Sequence, residues 1–338
     1  MQPKTLYLTC REKIRGNTRI AELLYRCQSL LYSNSGPFRG EVTRASRCDA
    51  KATGIALCCR IRDEGRYLAE WIEYHLAAGI EHFFLYEKLS RDDFHIVLQP
   101  YIARGVVTLF ADWPNIPLSP TADHDCILRS IGRFEWVGFM DADEFVVAQD
   151  GRSIGEHLSK YKGEVGVAFH TYLFGSNGHQ ARPKGPVICE YTRREALPNP
   201  HVKVFVRPES VSRWRNPHSW YYLGMRCAVN EAGRSVRGSF VLPASAECAW
   251  INHYHNKSDQ DHVERAGRQN IADPVGMRLG NRNRTWEGRR VGEKIANAQF
   301  DDSAIRYFRE RCRRMNMAAR LLDDRTRGAS SMNSILSG

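Results

Sequence analysis

Between residues 55 and 110 the sequence twice sets an apolar run of strand length before a stretch of helical periodicity, and closes that stretch with a glycine. Residues 55–59 form the first run; residues 64–78 follow with Leu68, Trp71, Ile72 and Leu76 on one face and Gly79 as the stop. Residues 82–86 are the second run. Ser90 with Asp93 reads as a capping-box start, Gly105 closes that helix, and residues 106–110 are a third run. Two strand–helix–strand units in succession are joined by right-handed crossovers, and these give a parallel sheet covered by helices on its faces. The fold class is therefore α/β.

A helical stretch near 122–132 leads to a fourth strand, 136–140, which ends in Asp141-Ala142-Asp143-Glu144. After residue 165 the pattern shortens: strands are expected at 165–169, 187–191, 202–206, 221–228 and 248–254, as antiparallel additions to the sheet. An amphipathic helix near 302–322 carries Ile305, Phe308, Cys312 and Met315 on its apolar side. Near the start, Ile20, Leu23, Leu24, Cys27, Leu30 and Leu31 repeat at helical spacing before a Ser/Asn/Gly/Pro break at 33–40. The expected organisation is a basic appendage over 1–50, an α/β domain over 51–277 and an Arg-rich helical tail over 278–338.

The 338 residues carry a formal charge of +11, which by itself points to nucleic acid. Its distribution points elsewhere. Residues 1–50 hold +5 and residues 278–338 hold +7, which leaves the stretch between them at −1. Ten scattered cysteines, none at C-x-x-C spacing, and the lack of a signal-peptide pattern lead us to expect a reducing, cytoplasmic setting. No apolar run approaches the roughly 18 residues of a membrane span. Several signatures are missing too: no G-x-G, no phosphate-binding G-x-x-x-x-G-K-[ST] and no H-E-x-x-H occurs. Gly151-Arg152-Ser153-Ile154-Gly155 matches the nucleophile elbow G-x-S-x-G, but Ser153 with Glu156 is better read as a capping box for a short helix.

What remains is the acidic cluster. Ligands of open α/β sheets bind beyond the carboxyl ends of the strands, where Asp141 and Asp143 lie. Two carboxylates at that spacing can hold Mg²⁺ or Mn²⁺, ions typically shared with substrate phosphates. Downstream, His253-Tyr254-His255-Asn256-Lys257-Ser258 offers an imidazole to complete such a site and a lysine to meet phosphate. Arg62-Asp63-Glu64, past the first strand, either complements a helix dipole or borders a nucleobase or ribose.

These residues resemble a family. Glu64 with Leu68-x-x-Trp71-Ile72-x-Tyr74-His75, Gly79-x-x-His82-Phe83, Tyr86, Ser90-x-Asp92, Asp141-Ala142-Asp143-Glu144-Phe145 and His253-Tyr254-x-x-Lys257-Ser258 are similar to glycosyltransferase family 92, once a domain of unknown function and close to bacterial family 2 enzymes. The resemblance runs from about Ile55 to Gly267. It implies a GT-A, Rossmann-like fold, a nucleotide-sugar donor (a UDP-sugar first), a divalent metal and inversion at the anomeric carbon. Carried over, Asp141 and Asp143 would hold the metal and donor diphosphate, with Glu144 bracing them. Asp63 and Glu64 would border the nucleotide, and His253 and Lys257 would be the terminal metal ligand and diphosphate contact. Asp63 departs from the family pattern, where asparagine is more usual.

The acceptor hydroxyl then needs a base on the opposite face of the sugar. Glu190 and His179 are the candidates, with an ion pair to Arg193 and Arg194 as the alternative for Glu190; His218 could replace His253 as metal ligand. Two other classes compete: a nucleotidyltransferase using the same metal-carboxylate logic, and a basic nucleic-acid-binding protein using residues 306–327. The basic ends are also compatible with peripheral contact with an anionic membrane while the enzyme works on a glycan.

Overall fold

The computed structural model describes residues 52–113, 118–266 and 294–315. The expected appendage, residues 278–293 and the tail beyond 315 lie outside the described residues. The chain runs β1 (Ile55–Ile61), α1 (Gly65–Ala77), β2 (His82–Glu87), α2 (Phe94–Ala103), β3 (Val107–Phe110), α3 (Leu118–Ser130) and β4 (Trp136–Phe139). Next come β5 (Glu144–Ala148), α4 (Ile154–Leu158), β6 (Gly166–Leu173), α5 (Val187–Glu190), β7 (Arg193–Arg194) and β8 (Asn199–Val206). The remainder is β9 (Val211–Asn216), β10 (Ser219–Tyr222), β11 (Ala228–Asn230), β12 (Ser235–Val236), β13 (Ala249–His253), α6 (Asp259–Ala266), β14 (Gln299–Phe300) and α7 (Ser303–Arg314).

The first half follows the sequence expectation. β1 pairs in parallel with β2 on one side and β4 on the other, and β2 pairs in parallel with β3. Ten strands form one mixed sheet in the order β12-β11-β6-β8-β4-β1-β2-β3, with β13 joining β6 and β5 joining β13. The antiparallel additions are real: β8 runs against both β4 and β6, and β13 runs against β5 while parallel to β6. β8 thus bridges two parallel sets and brings its own residues across the carboxyl end of β4.

Helix α1 exists because its apolar stripe meets the sheet. Leu68, Trp71, Ile72 and Tyr74 are fully buried in the larger of two core clusters. Two ring heteroatoms find partners on β5: Trp71 Nε1 donates to the Glu144 carbonyl at 2.8 Å and Tyr74 OH to the Val146 carbonyl at 2.9 Å. Gly79 ends the helix at φ +96°, a conformation that L side chains rarely adopt, and Ser153 packs on the space a Cβ would fill. Helix α7 completes this layer. Its Tyr307, Phe308 and Cys312 are buried in the same cluster, with the Phe308 ring stacked on Tyr74 at 5.8 Å.

Several expectations are corrected. Within residues 187–191, expected as a strand, Val187–Glu190 form the short helix α5, because the buried Glu70 carboxylate accepts both the Val187 and Ile188 amides at 2.8 and 3.0 Å. The expected strand 221–228 is split into β10 and β11 by a turn with Gly224 at φ +66°. Ser90 does not cap α2: Asp93 is the N-cap without a side-chain bond, and Ser90 Oγ instead accepts the Asp63 amide at 3.1 Å. Strand β5 had no counterpart in the sequence reading. The capping box of Ser153 and Glu156 does form, with the Glu156 amide 3.2 Å from Ser153 Oγ and the Glu156 carboxylate 2.7 Å from the Ser153 amide. Ser153 is a structural cap.

Gly138 lies in β4 between β1 and β8, and a Cβ there would lie 2.5 Å from the Phe205 ring and 2.7 Å from a Leu57 methyl, both fully buried. Gly138→Ala is expected to cost ~1–3 kcal/mol in urea unfolding, the usual range for overpacking. An unchanged midpoint would show that β4 and β8 do not approach as closely as described.

Candidate functional site

Parallel pairing of β1 and β4 brings Arg60 and Asp141 out side by side at one end of the sheet. The chain then turns within three residues: the Glu144 amide donates to the Asp141 carbonyl at 3.0 Å, and Glu144 Oε2 accepts the Asp141 amide at 2.9 Å. β5 leaves from this turn, and its partner β13 places His253 directly across from Glu144. The Tyr254 amide fixes the far side by donating to the Asp143 carbonyl at 2.8 Å.

Three carboxylates so close together are held by cations from distant parts of the chain. Lys203 of β8, almost completely buried, reaches Glu144 Oε2 at 2.7 Å and Asp141 Oδ2 at 2.9 Å. Arg60 binds Asp141 Oδ1 at 3.2 Å and, through Nη1, both oxygens of buried Asp123 at 3.1 and 3.2 Å; Asp123 also accepts Trp214 Nε1 at 3.0 Å. Burial works to raise Asp141, but the Lys203 ammonium and the Arg60 guanidinium outweigh it and hold the carboxyl well below the usual range. Glu144 shares Lys203, yet burial prevails there and pushes its carboxyl up.

Asp143 heads a second group. Its Oδ1 lies 3.5 Å from His253 Nε2, and its Oδ2 lies 2.9 Å from Arg265 Nη2 and 3.7 Å from Lys257 Nζ. Burial opposes the charge on Asp143, but Lys257, His253 and Arg265 together hold it well below the usual carboxylate range. Burial lowers His253, and Asp143 and Glu144 more than restore it, so its pKa stands above the ordinary imidazole value. His255 is the opposite case: burial, then Arg265 and His253, push it down to about 3.

Asp143, His253 and His255 can each present one ligand atom, all within 4.8 Å of one another. The 3.5 Å between Asp143 Oδ1 and His253 Nε2 is a separation that two ligands about 2.1 Å from one ion adopt. Glu144 Oε1 is buried without a hydrogen bond and faces His253 Nδ1 at 3.7 Å, which leaves Nε2 turned to Asp143. This donor set fits a divalent ion. Asp141 is differently placed, because both of its oxygens already meet cations.

The other expected residues are distributed as follows. Lys257 is buried with its ammonium 4.6 Å over the Tyr67 ring, beside Asp143. Asp63, at φ +53°, ties two loops by accepting the Arg91 amide at 2.6 Å; Glu64 is the N-cap of α1 and is felt electrostatically by Arg265. His218 is outside the Asp143 group: its Nδ1 donates to the Val202 carbonyl at 3.0 Å, and burial pushes its pKa down to about 3. Glu190 and His179 meet each other, with His179 Nε2 donating to the Glu190 carbonyl at 3.0 Å. Among the described residues neither makes a hydrogen bond or ion pair to Asp141, Asp143 or His253.

Arg60, Lys203, Arg265 and Asp123 were not foreseen. For two of them a signal existed: Arg60 and Lys203 each interrupt an apolar strand, and a charge at such a position must find a partner.

The model of glycosyltransferase family 92 matches residues 61–315. A Ricinus communis glycosyltransferase family 92 protein is 32% identical over 164 residues, which cover 47% of this chain and 29% of that protein. One from Oryza sativa subsp. japonica is 34% identical over 168 residues, covering 48% and 28%. The matched stretch thus spans less than a third of either relative. Among solved structures, Staphylococcus aureus TarS 1–349 in complex with UDP-GlcNAc is 9% identical, with 84% of this chain and 78% of that chain covered at a TM-score of 0.38. Glucosyl-3-phosphoglycerate synthase from Mycobacterium tuberculosis, in complex with Mn²⁺, UDP and glucosyl-3-phosphoglycerate, is 15% identical, covering 51% and 61% at 0.28.

Lys203→Met leaves Glu144 and Asp141 without their shared cation. It is expected to cost ~3–5 kcal/mol in chemical unfolding, as for breaking a buried pair from one side. Adding Glu144→Gln should return part of that loss; a double variant as unstable as the sum of the singles would contradict the pairing.

Proposed function

The chain belongs to glycosyltransferase family 92, and from that premise we propose that it is a metal-dependent, inverting glycosyltransferase that moves a sugar from a nucleotide-sugar donor to a hydroxyl acceptor. The observation that supports this reading is the Asp143–His253–His255 group, with Lys257 and Arg265 beside it, at the carboxyl end of a parallel strand. We propose a UDP-sugar as donor and a glycan as acceptor. The net positive ends of the chain are compatible with work at the cytoplasmic face of an anionic membrane.

Asp143, His253 and His255 would hold Mn²⁺ or Mg²⁺, which when bound supplies positive charge to the donor diphosphate. As the bond between the anomeric carbon and the diphosphate oxygen breaks, negative charge grows on the leaving group. Lys257 and Arg265 are already positioned at Asp143, so their charge acts where the leaving phosphate would lie. Asp141, fixed by Lys203 and Arg60, keeps a negative charge at the same rim and can accept hydroxyl hydrogen bonds from the donor. Asp63 and Glu64, past β1, are proposed to border the nucleoside.

Asp143→Asn is expected to weaken UDP binding in Mn²⁺ by about 100-fold or more and to abolish release of UDP from a UDP-sugar, measured by calorimetry and product analysis. Release of pyrophosphate from a nucleoside triphosphate would instead identify a nucleotidyltransferase. If the protein releases neither, and Asp143→Asn leaves UDP affinity unchanged, the proposal fails.

A pH dependence follows from His253. A protonated imidazole cannot bind a metal, and its raised pKa lies above the ordinary value of about 6.5. Mn²⁺-assisted UDP binding should therefore be complete above that raised pKa and weaken as pH falls through it. His255 stays neutral until about pH 3 and adds no second step. Binding that is flat from pH 8 to pH 5.5 would exclude His253 as a ligand.

A further inference from the structure

Resting on the glycosyltransferase reading, we propose that Glu195 is the general base that takes the proton of the acceptor hydroxyl. The carboxylate is placed by the end of β6. Leu173 donates its amide to Glu195 Oε1 at 2.9 Å, and the Glu195 amide returns to the Leu173 carbonyl at 2.9 Å. Leu173 is the registered neighbour of His253 in the parallel pair of β6 and β13, and the Phe174 amide donates to the His253 carbonyl at 2.9 Å. Glu195 therefore stands at the same sheet end as the Asp143–His253 group. His253 is close enough to the Glu195 carboxylate for the two side chains to interact electrostatically.

On its other side Glu195 meets β8. The Asn199 side chain lies against the Glu195 carboxylate, while Asn199 Oδ1 accepts the His201 amide at 3.1 Å and lies 3.2 Å from His201 Nδ1. Two residues further along β8, Lys203 reaches Asp141. The carboxylate thus lies between the strand that carries the metal candidates and the strand that braces the acidic turn. It is half-buried, and burial pushes its carboxyl up against the opposing pull of the Leu173 amide and Asn199, the direction that favours a proton acceptor. Glu190 lacks this setting: its carboxylate faces Gly185 and His179 on the preceding loop.

In the step itself the acceptor oxygen forms a bond to the anomeric carbon. The bond from that carbon to the diphosphate oxygen breaks with its electron pair leaving on the diphosphate. The acceptor's proton passes to the Glu195 carboxylate and from there to solvent.

Water serves as acceptor in the test, with Mn²⁺ and a UDP-sugar panel, and azide serves as a nucleophile that has no proton to lose. Glu195→Gln keeps an oxygen for the Leu173 amide. It is expected to leave UDP affinity within about threefold while slowing UDP release from the sugar by about 100-fold or more. Azide should restore that release in Glu195→Gln and in Glu195→Ala. Hydrolysis within fivefold of wild type, loss of UDP affinity together with rate, or no azide rescue would overturn the assignment, as would a requirement for Glu190 that Glu195 does not share. A wild-type protein that neither binds UDP nor releases it fails the parent reading itself; intact UDP binding with full hydrolysis in Glu195→Gln fails only this one.

Discussion

Asp141, Asp143 and Glu144 cannot share one turn unless positive charge reaches them from outside it. At an effective dielectric of about 20, an ion pair at 3 Å gains about 5–6 kcal/mol, while taking each ion out of water costs several. The balance is favourable only with close geometry, and the fold is arranged to supply it. Lys203 arrives because β8 is inserted antiparallel between β4 and β6. Arg60 arrives because β1 pairs with β4, and Arg265 because α6 returns across the same end. The antiparallel strand that departs from the parallel plan is the one that carries the balancing lysine.

The same constraint divides the site's labour. Asp141 is neutralised within the protein on both oxygens and is a fixed feature of the rim. Asp143 is bordered by two imidazoles and by two cations, with Lys257 at 3.7 Å and Arg265 at 2.9 Å. The spacing of two aspartates suggested equal partners; their surroundings make them unequal.

The first two strand–helix–strand units were legible because glycine stops and period-3.6 burial coincide there. Asp141, Asp143, His253 and Lys257 were legible as a group because a strand end and a His/Lys pair point to the same chemistry, and the fold brings Asp143, His253 and Lys257 together. Strand β5 was missed because its apolar run begins at the last residue of the acidic cluster with no turn signal between. Residues 187–191 were misread because a three-residue apolar run has no period of its own, and Glu70, more than a hundred residues away, decides it by accepting two amides. Arg60 and Lys203 were overlooked because an isolated charge in a strand shows that it needs a partner without showing which one. Glu190 and His179 were the base candidates from the loop after β6, although Glu195 is the acid tied to the strand beside His253.

Asp143 and His253 are proposed to form one divalent-metal site at the end of β4. A crystal grown with UDP and Mn²⁺, measured at the manganese absorption edge, tests it most directly. The expected result is an anomalous peak within bonding distance of both Asp143 and His253 Nε2, with the UDP phosphates against Lys257. A bound UDP with no such peak, or a peak whose ligands exclude both residues, would contradict it.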